Sequence, residues 1–171
     1  AYNQRDEREA DDSGYKYMVG ADMNPYAILV VMHKLGETTN PQIRSNFSVH
    51  PEPLERAARI SKYLQNMQIK PYVITGKNNA IVQDGTWSFE VKHSDGVNIP
   101  MYRAWLLAGN LYCIAKEANV KKERFIVVED RENANIYYGN RLVYTVTPID
   151  IVRESNKDVS QKAAEYVEDF R

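Results

Sequence analysis

The chain has 171 residues and a formal net charge of −1, and 26% of its residues are charged and 43% hydrophobic. This is ordinary for one globular domain or two small ones, and the near-zero net charge argues against a protein that binds a nucleic-acid backbone. The apolar runs are too short for a transmembrane helix, and a single cysteine, Cys113, excludes both an internal disulfide and a zinc site built from thiolates.

The first part of the sequence, residues 1–68, is predicted to be helical. A charged helix is expected from Asp6 to Val19. Asn24-Pro25 is typical of a helix start, and we expect this second helix to end at Gly36. A third, amphipathic helix follows a polar segment. The apolar faces expected of the three helices are Ala10, Gly14, Tyr17 and Met18; Ala27, Ile28, Val31, Met32 and Leu35; and Leu54, Ala57, Ile60, Ser61, Leu64 and Met67.

The second part, residues 69–171, changes to the period of strands. Turns are expected at Asp84-Gly85 and at Gly139-Asn140, and the Gly-Asn pair suits a two-residue hairpin. A long helix is expected from Tyr102 to Ala118, and a short strand of the buried type follows it. The expected strands are 72–75, 80–82, 87–92, 125–128, 136–138 and 142–146.

We expect these strands to form one sheet with a helix-covered face, in an independent α+β domain that has the Gly139-Asn140 hairpin at its centre. A last amphipathic helix is predicted to begin at a capping box of Asp158 and Gln161 and to dock through Val159, Ala163, Val167 and Phe170. The aromatic residues of this part are interpreted as core filling, and the alternative is a recognition surface. They are Tyr102, Trp105, Tyr112, Tyr137, Tyr138 and Tyr144.

Two carboxylates of the first predicted helix carry the chemical argument. Glu7 and Asp11 are four residues apart, so both project from one face of the helix. One carboxylate can bind zinc as the last ligand of a site whose other ligands are histidines, and a second can hold a ligating imidazole in its tautomer. The alternative is a solvated acidic face on which Arg5 and Arg8 are the partners.

A resemblance favours the zinc interpretation. Glu7-Arg8-Glu9-Ala10-Asp11, followed by Gly14, resembles the Glu-x-x-x-Asp helix of the M48 family of zinc metallopeptidases. Tyr15 to Met18 and Asn24-Pro25 resemble the turn and the helix that follow in that family. Ser48-Val49-His50-Pro51, with Arg56 further on, resembles its Ser/Thr-x-His-Pro loop and the arginine of the next helix. The resemblance covers residues 5–67.

The resemblance implies a role for four residues. Glu7 corresponds to the third zinc ligand, and Asp11 to the buried carboxylate that orients a zinc-binding histidine. His50 corresponds to the histidine of the loop beside the active cleft, for which the alternative is an ordinary loop histidine, and Arg56 to the residue that anchors this loop. Glu9 faces elsewhere on the helix and receives no catalytic role.

The sequence departs from the family at the catalytic helix. It has three histidines, His33, His50 and His93, and no His-Glu-x-x-His, whereas zinc hydrolysis needs three protein ligands and a general base. Because the chain opens on the charged helix at Ala1, we expect a fragment whose catalytic helix lies upstream. Zinc is then expected in the full-length parent and not in this chain alone.

The resemblance therefore predicts the C-terminal part of a zinc-dependent metalloendopeptidase: the helical remainder of a zincin-like domain in residues 1–68, followed by an α+β accessory domain in 69–171. Its partners would be protein or peptide substrates of the parent, without nucleic acid and without a transmembrane segment in this chain. Exported family members suggest a periplasmic or cell-envelope location. The alternative is a non-enzymatic binding module of the envelope.

Overall fold

The structure is a computed structural model that describes residues 4–38, 53–154 and 156–170. Its α+β class is the one that the sequence predicts. The chain divides into two compact units, Ala1–Ile69 and Lys70–Arg171, where the sequence placed the boundary after residue 68. None of the helices within the described ranges combines the length and the apolar character needed to cross a bilayer.

The first unit contains three helices among the described residues: α1 (Gln4–Gly20), α2 (Ala27–Thr38) and α3 (Pro53–Asn66). Asn24 starts α2, because its side-chain Oδ1 accepts a hydrogen bond from the backbone N–H of Tyr26 at 2.9 Å. The expected end of α2 at Gly36 is wrong. A Cβ at Gly36 would lie 3.0 Å from Cδ2 of Leu54, so this glycine permits the close approach of α3.

The buried faces of α1 and α2 differ from the predicted ones. The residues of α1 that face the interior are Asp11 and Tyr15, while Tyr17 is 76% exposed. In α2, Val31 and Leu35 are exposed, and the buried residues are Leu29, Val30 and Met32. In α3 the centre of the expected face is buried, through Ala57, Ile60 and Leu64, whereas Leu54 and Met67 at its ends are 47% and 38% exposed. Apolar periodicity alone misplaces a helix whose contacts are polar or whose sides are all apolar.

The second unit contains two three-stranded antiparallel sheets, in the orders β1-β2-β3 and β4-β5-β6. The single sheet that the sequence predicted is therefore wrong, because each strand pairs only with its neighbour in the chain. The strands are β1 (Tyr72–Thr75), β2 (Ala80–Asp84), β3 (Trp87–Val91), β4 (Phe125–Asp130), β5 (Asn133–Tyr138) and β6 (Arg141–Val146). Short 3-10 turns cover Lys122–Arg124 and Pro148–Ile151.

The hairpin at Gly139-Asn140 is present and joins the central strand β5 to β6. Gly139 has φ +60°, as the first residue of a type II′ turn requires. The preceding edge strand β4 is not of the buried type. Phe125 faces the interior, whereas Ile126 and Val128 are 49% and 43% exposed, so this strand alternates between a buried and an open face.

Two helices pack on the sheets: α4 (Pro100–Ala115) and α5 (Val159–Phe170). Pro100 occupies the first position of α4, so the helix begins earlier than predicted. The helix also ends earlier, at Ala115. The capping box of α5 is confirmed, since Oδ1 of Asp158 accepts from the N–H of Gln161 at 2.7 Å and the reverse bond is 3.2 Å. The interior of this unit is rich in aromatic residues and holds the lone cysteine: Tyr102, Trp105, Cys113, Tyr138 and Tyr144 are buried.

An arginine lies in that interior. Arg103, in the first turn of α4, is 3% exposed and forms a two-point ion pair with Asp150 at 2.8 and 2.9 Å. It also donates hydrogen bonds to the backbone carbonyls of His93 (2.7 Å) and Thr145 (2.8 Å). Its guanidinium lies 4.7 Å from the ring centre of Tyr144. One side chain thereby connects α4, β6 and the loop after β3.

Candidate functional site

The two predicted carboxylates lie on one face of α1, opposite a single arginine of α3. Asp11 accepts two hydrogen bonds from Arg56, from Nε to Oδ2 at 2.8 Å and from Nη2 to Oδ1 at 2.5 Å. The remaining Nη1 of Arg56 lies 3.7 Å from Oε2 of Glu7. One guanidinium thus contacts both carboxylates, and the planar fork matches the carboxylate of Asp11 as only arginine can.

Burial distinguishes the two carboxylates. The side chain of Asp11 is 7% exposed and that of Glu7 is 19% exposed, with Arg56 at 23%. The hydrogen bond to Asp11 raises the pKa of Arg56, together with the charges of Asp11 and Glu7 and against the effect of desolvation. The guanidinium therefore remains charged and holds Asp11 in one orientation. The ion pair between Arg56 and Glu7 is longer, at 3.7 Å.

Further polar contacts connect α1 to α3 along the same face. Arg59 donates to Asp12 at 2.8 Å, and the hydroxyl of Tyr63 donates to the same Asp12 oxygen at 2.5 Å. Tyr15 stacks on Tyr63 with 5.6 Å between ring centres. At the N-terminal end of α3, Arg8 lies 3.5 Å from Glu55. This face is thus an interface of complementary charges and two stacked rings.

These additional contacts were not predicted, although the sequence contains a charge pattern that indicates them. Positions 8, 11 and 12 read basic, acidic, acidic, and positions 55, 56 and 59 read acidic, basic, basic. Charges of opposite sign at helical spacing on two helices indicate that the two faces meet. Because the pattern consists of charged residues, apolar periodicity does not indicate it.

If the catalytic helix that would cover Glu7 and Asp11 lies upstream, their face of α1 is expected to be unusually exposed in this chain, and that expectation is wrong for Asp11, which is 7% exposed. Arg56 covers Asp11, and the neighbouring Tyr15, which the same reasoning predicts to be loosely packed, is 4% exposed and donates its hydroxyl to the sulfur of Met67 at 3.2 Å. Glu9 lies on another side of the helix, 67% exposed and paired with Arg5 at 3.1 Å. Glu7, Asp11 and Arg56 are therefore brought together, while His50 lies outside the described residues.

The described donor set does not complete a zinc site. Both oxygens of Asp11 accept hydrogen bonds from Arg56, and Nη1 of the same guanidinium lies 3.7 Å from Oε2 of Glu7. Across residues 4–38, 53–154 and 156–170, no group of three His, Cys, Asp or Glu side chains is placed to hold a metal. The described residues around Glu7 therefore do not form a metal site by themselves.

Comparisons with known proteins give the chain no relatives: no family model matches it, no curated protein matches it and no solved structure matches it.

Proposed function

We propose that this chain is the C-terminal part of an M48-like zinc metalloendopeptidase, in which α1 presents Glu7 as a metal ligand and Asp11 as a positioning residue. The observation that carries the proposal is the two-point hydrogen bond between Arg56 and Asp11. A carboxylate that orients a ligating imidazole has to be fixed itself, and Arg56 fixes this one. The zinc-dependent activity in this proposal rests on the resemblance of residues 5–67 to the family.

The placement of Glu7 also supports the proposal. In the family that residues 5–67 resemble, the zinc ligand and the positioning carboxylate are four residues apart on one helix. Glu7 lies one helical turn before Asp11, on the same face, and is 3.7 Å from Arg56. Arg56 therefore lies beside both carboxylates, and it binds that of Asp11 at the shorter distances.

The test begins with the coding sequence that precedes the Ala1 codon. We expect a His-Glu-x-x-His motif within roughly a hundred residues, the spacing that a single catalytic domain of ordinary size allows. The longer product is then purified and assayed for bound zinc and for casein cleavage that a chelator abolishes. A preceding sequence without the motif would leave the binding module of the cell envelope as the function.

Two glutamates of the same helix provide a matched pair of variants in that longer product. Glu7→Gln is expected to lower both zinc content and proteolysis, whereas Glu9→Gln is expected to leave both unchanged, because the side chain of Glu9 is 67% exposed and pairs with Arg5 on another side of the helix. Asp11→Asn is expected to weaken zinc affinity by roughly 10- to 100-fold. Full zinc content in Glu7→Gln would refute the assignment of the ligand.

A further inference from the structure

A cavity of about 390 Å³ opens in the second unit, at one end of the β1-β2-β3 sheet. Its wall is largely apolar, and three of its side chains are aromatic: Trp87, Phe125 and Phe170. Leu111 and Ile114 of α4 contribute the aliphatic part. The volume lies at the lower end of the range for small-molecule sites, which is roughly 300–1,000 Å³.

Two contacts hold the aromatic wall in place. The indole N–H of Trp87 donates to the backbone carbonyl of Asp169 at 2.8 Å, which ties the β2–β3 hairpin to the last turn of α5. The ring of Phe170 packs against Phe89 with 5.1 Å between centres. A cavity whose walls are held in this way costs a ligand little reorganisation.

Three charged side chains border this apolar wall. Lys70 precedes β1, Asp84 ends β2, and Asp169 lies in the last turn of α5. All three are exposed, and none forms a salt bridge with another described residue. The border therefore offers one ammonium group and two carboxylates that no other described side chain pairs.

We propose that this cavity binds a small zwitterion with an apolar side chain, that is, an apolar amino acid or a short peptide that carries one. The apolar body contacts Trp87, Phe125 and Phe170, the ligand carboxylate pairs with Lys70, and its ammonium group pairs with Asp84 or Asp169. A neutral apolar ligand uses none of the three charges, and a simple amine leaves Lys70 unpaired. The proposal does not depend on the peptidase assignment.

The probe is L-phenylalanine, titrated into the full chain and followed through the two indole N–H resonances in an NMR spectrum. We expect the resonance of Trp87 to shift and that of Trp105, which is buried in α4, to stay unchanged. For a ligand of this size the dissociation constant is expected to be roughly millimolar. An unmoved Trp87 resonance at about ten times that concentration would overturn the proposal.

Two analogues that each lack one charge test the zwitterion itself. Phenethylamine lacks the carboxylate and 3-phenylpropanoate lacks the ammonium group, and each is expected to bind about five- to tenfold more weakly than phenylalanine. Equal binding of all three would show a merely apolar cavity and refute the proposal. Apolar dipeptides distinguish the two sources, since tighter binding than phenylalanine indicates a peptide ligand and weaker binding a free amino acid.

Surface variants assign the charges without disturbing the core. Lys70→Gln is expected to weaken phenylalanine about fivefold and to leave phenethylamine unchanged. Asp84→Asn combined with Asp169→Asn is expected to weaken both ligands and to spare 3-phenylpropanoate. Lys77→Gln and Asp130→Asn, exposed residues away from this cavity, are the controls. Equal loss in the controls, or no loss in the charge variants, would contradict the assigned contacts.

Discussion

Asp11 and Arg56, 45 residues apart in the chain, form a two-point ion pair in which both carboxylate oxygens and two of the three guanidinium nitrogens are used. The pair holds α1 against α3 at a place where no apolar stripe does so. It also leaves the third nitrogen directed at Glu7. The orientation of the candidate site and the attachment of α1 thus depend on the same contact.

Asp11→Asn keeps the size of the side chain and removes its charge. Because Asp11 is buried and Arg56 is partly shielded, we expect the free energy of unfolding of the first unit to fall by about 2–3 kcal/mol. Urea-dependent amide exchange of peptides from α1 to α3 measures it. Glu9→Gln, which breaks an exposed pair, is expected to cost about 0.5 kcal/mol or less. Equal effects would contradict this account.

Asp150→Asn tests the buried ion pair of the second unit. Arg103 would lose its charged partner while remaining 3% exposed, and we expect a loss of about 3–5 kcal/mol in the unfolding free energy of this unit. Fluorescence reports it, because both tryptophans lie in this unit. Arg153→Met, at an exposed position, is the control and is expected to change stability by about 0.5 kcal/mol or less.

We expect His33 to make the stability of the first unit depend on pH. Desolvation lowers its pKa from the usual 6.5, against the charge of Glu37. The unfolded chain then binds this proton more readily than the folded one, so stability is complete above pH 6.5 and falls as the pH drops below it. Titration of the imidazole C–H resonances checks the direction. His33→Gln is expected to flatten the profile, and a midpoint above 6.5 for His33 would contradict the prediction.

The piece 70–171 is expected to fold by itself. Its sheets, its two helices and the contacts of Arg103 all lie within Lys70–Arg171. Expressed alone, the piece should give the same indole N–H shifts for Trp87 and Trp105 as the full chain. A collapsed, undispersed spectrum would mean that residues 1–69 complete its core and that the boundary is misplaced. Limited proteolysis of the full chain is expected to cut first near residues 68–71 if the join is flexible.

Most helices and strands of the fold could be predicted from the sequence, because local patterns specify them. Helices with a strong apolar period, such as α3, and hairpins with a glycine turn, such as that at Gly139, are specified locally. The number of sheets is not specified locally, because it depends on whether strands that are far apart in the chain pair with each other. The burial of Arg103 was not predicted. Charged side chains are rarely buried without a partner, and its partner Asp150 lies 47 residues away in the chain.

The candidate site was only partly accessible from the sequence. The spacing of Glu7 and Asp11 placed both on one face of α1, and the structure has them there with Arg56. The partner of Arg56 was not foreseen, since the resemblance implied contact with a loop whose residues lie outside those described. Tyr17 and Met18 were predicted to lie on the buried face of α1 because they are apolar. The side of α1 that packs against α3 is mostly polar instead.

Two small sheets give the second unit four edge strands, where one six-stranded sheet would have two. An edge strand that no other element covers presents unpaired backbone groups to which a strand of another molecule can add. Glu90 in β3, Glu129 and Asp130 in β4 and Arg141 in β6 place charge on three of these edges, while β1 (Tyr72–Thr75) carries none. Resistance to aggregation through strand pairing is consequently weakest along β1, and a lysine in place of Thr75 would be the direct means of raising it.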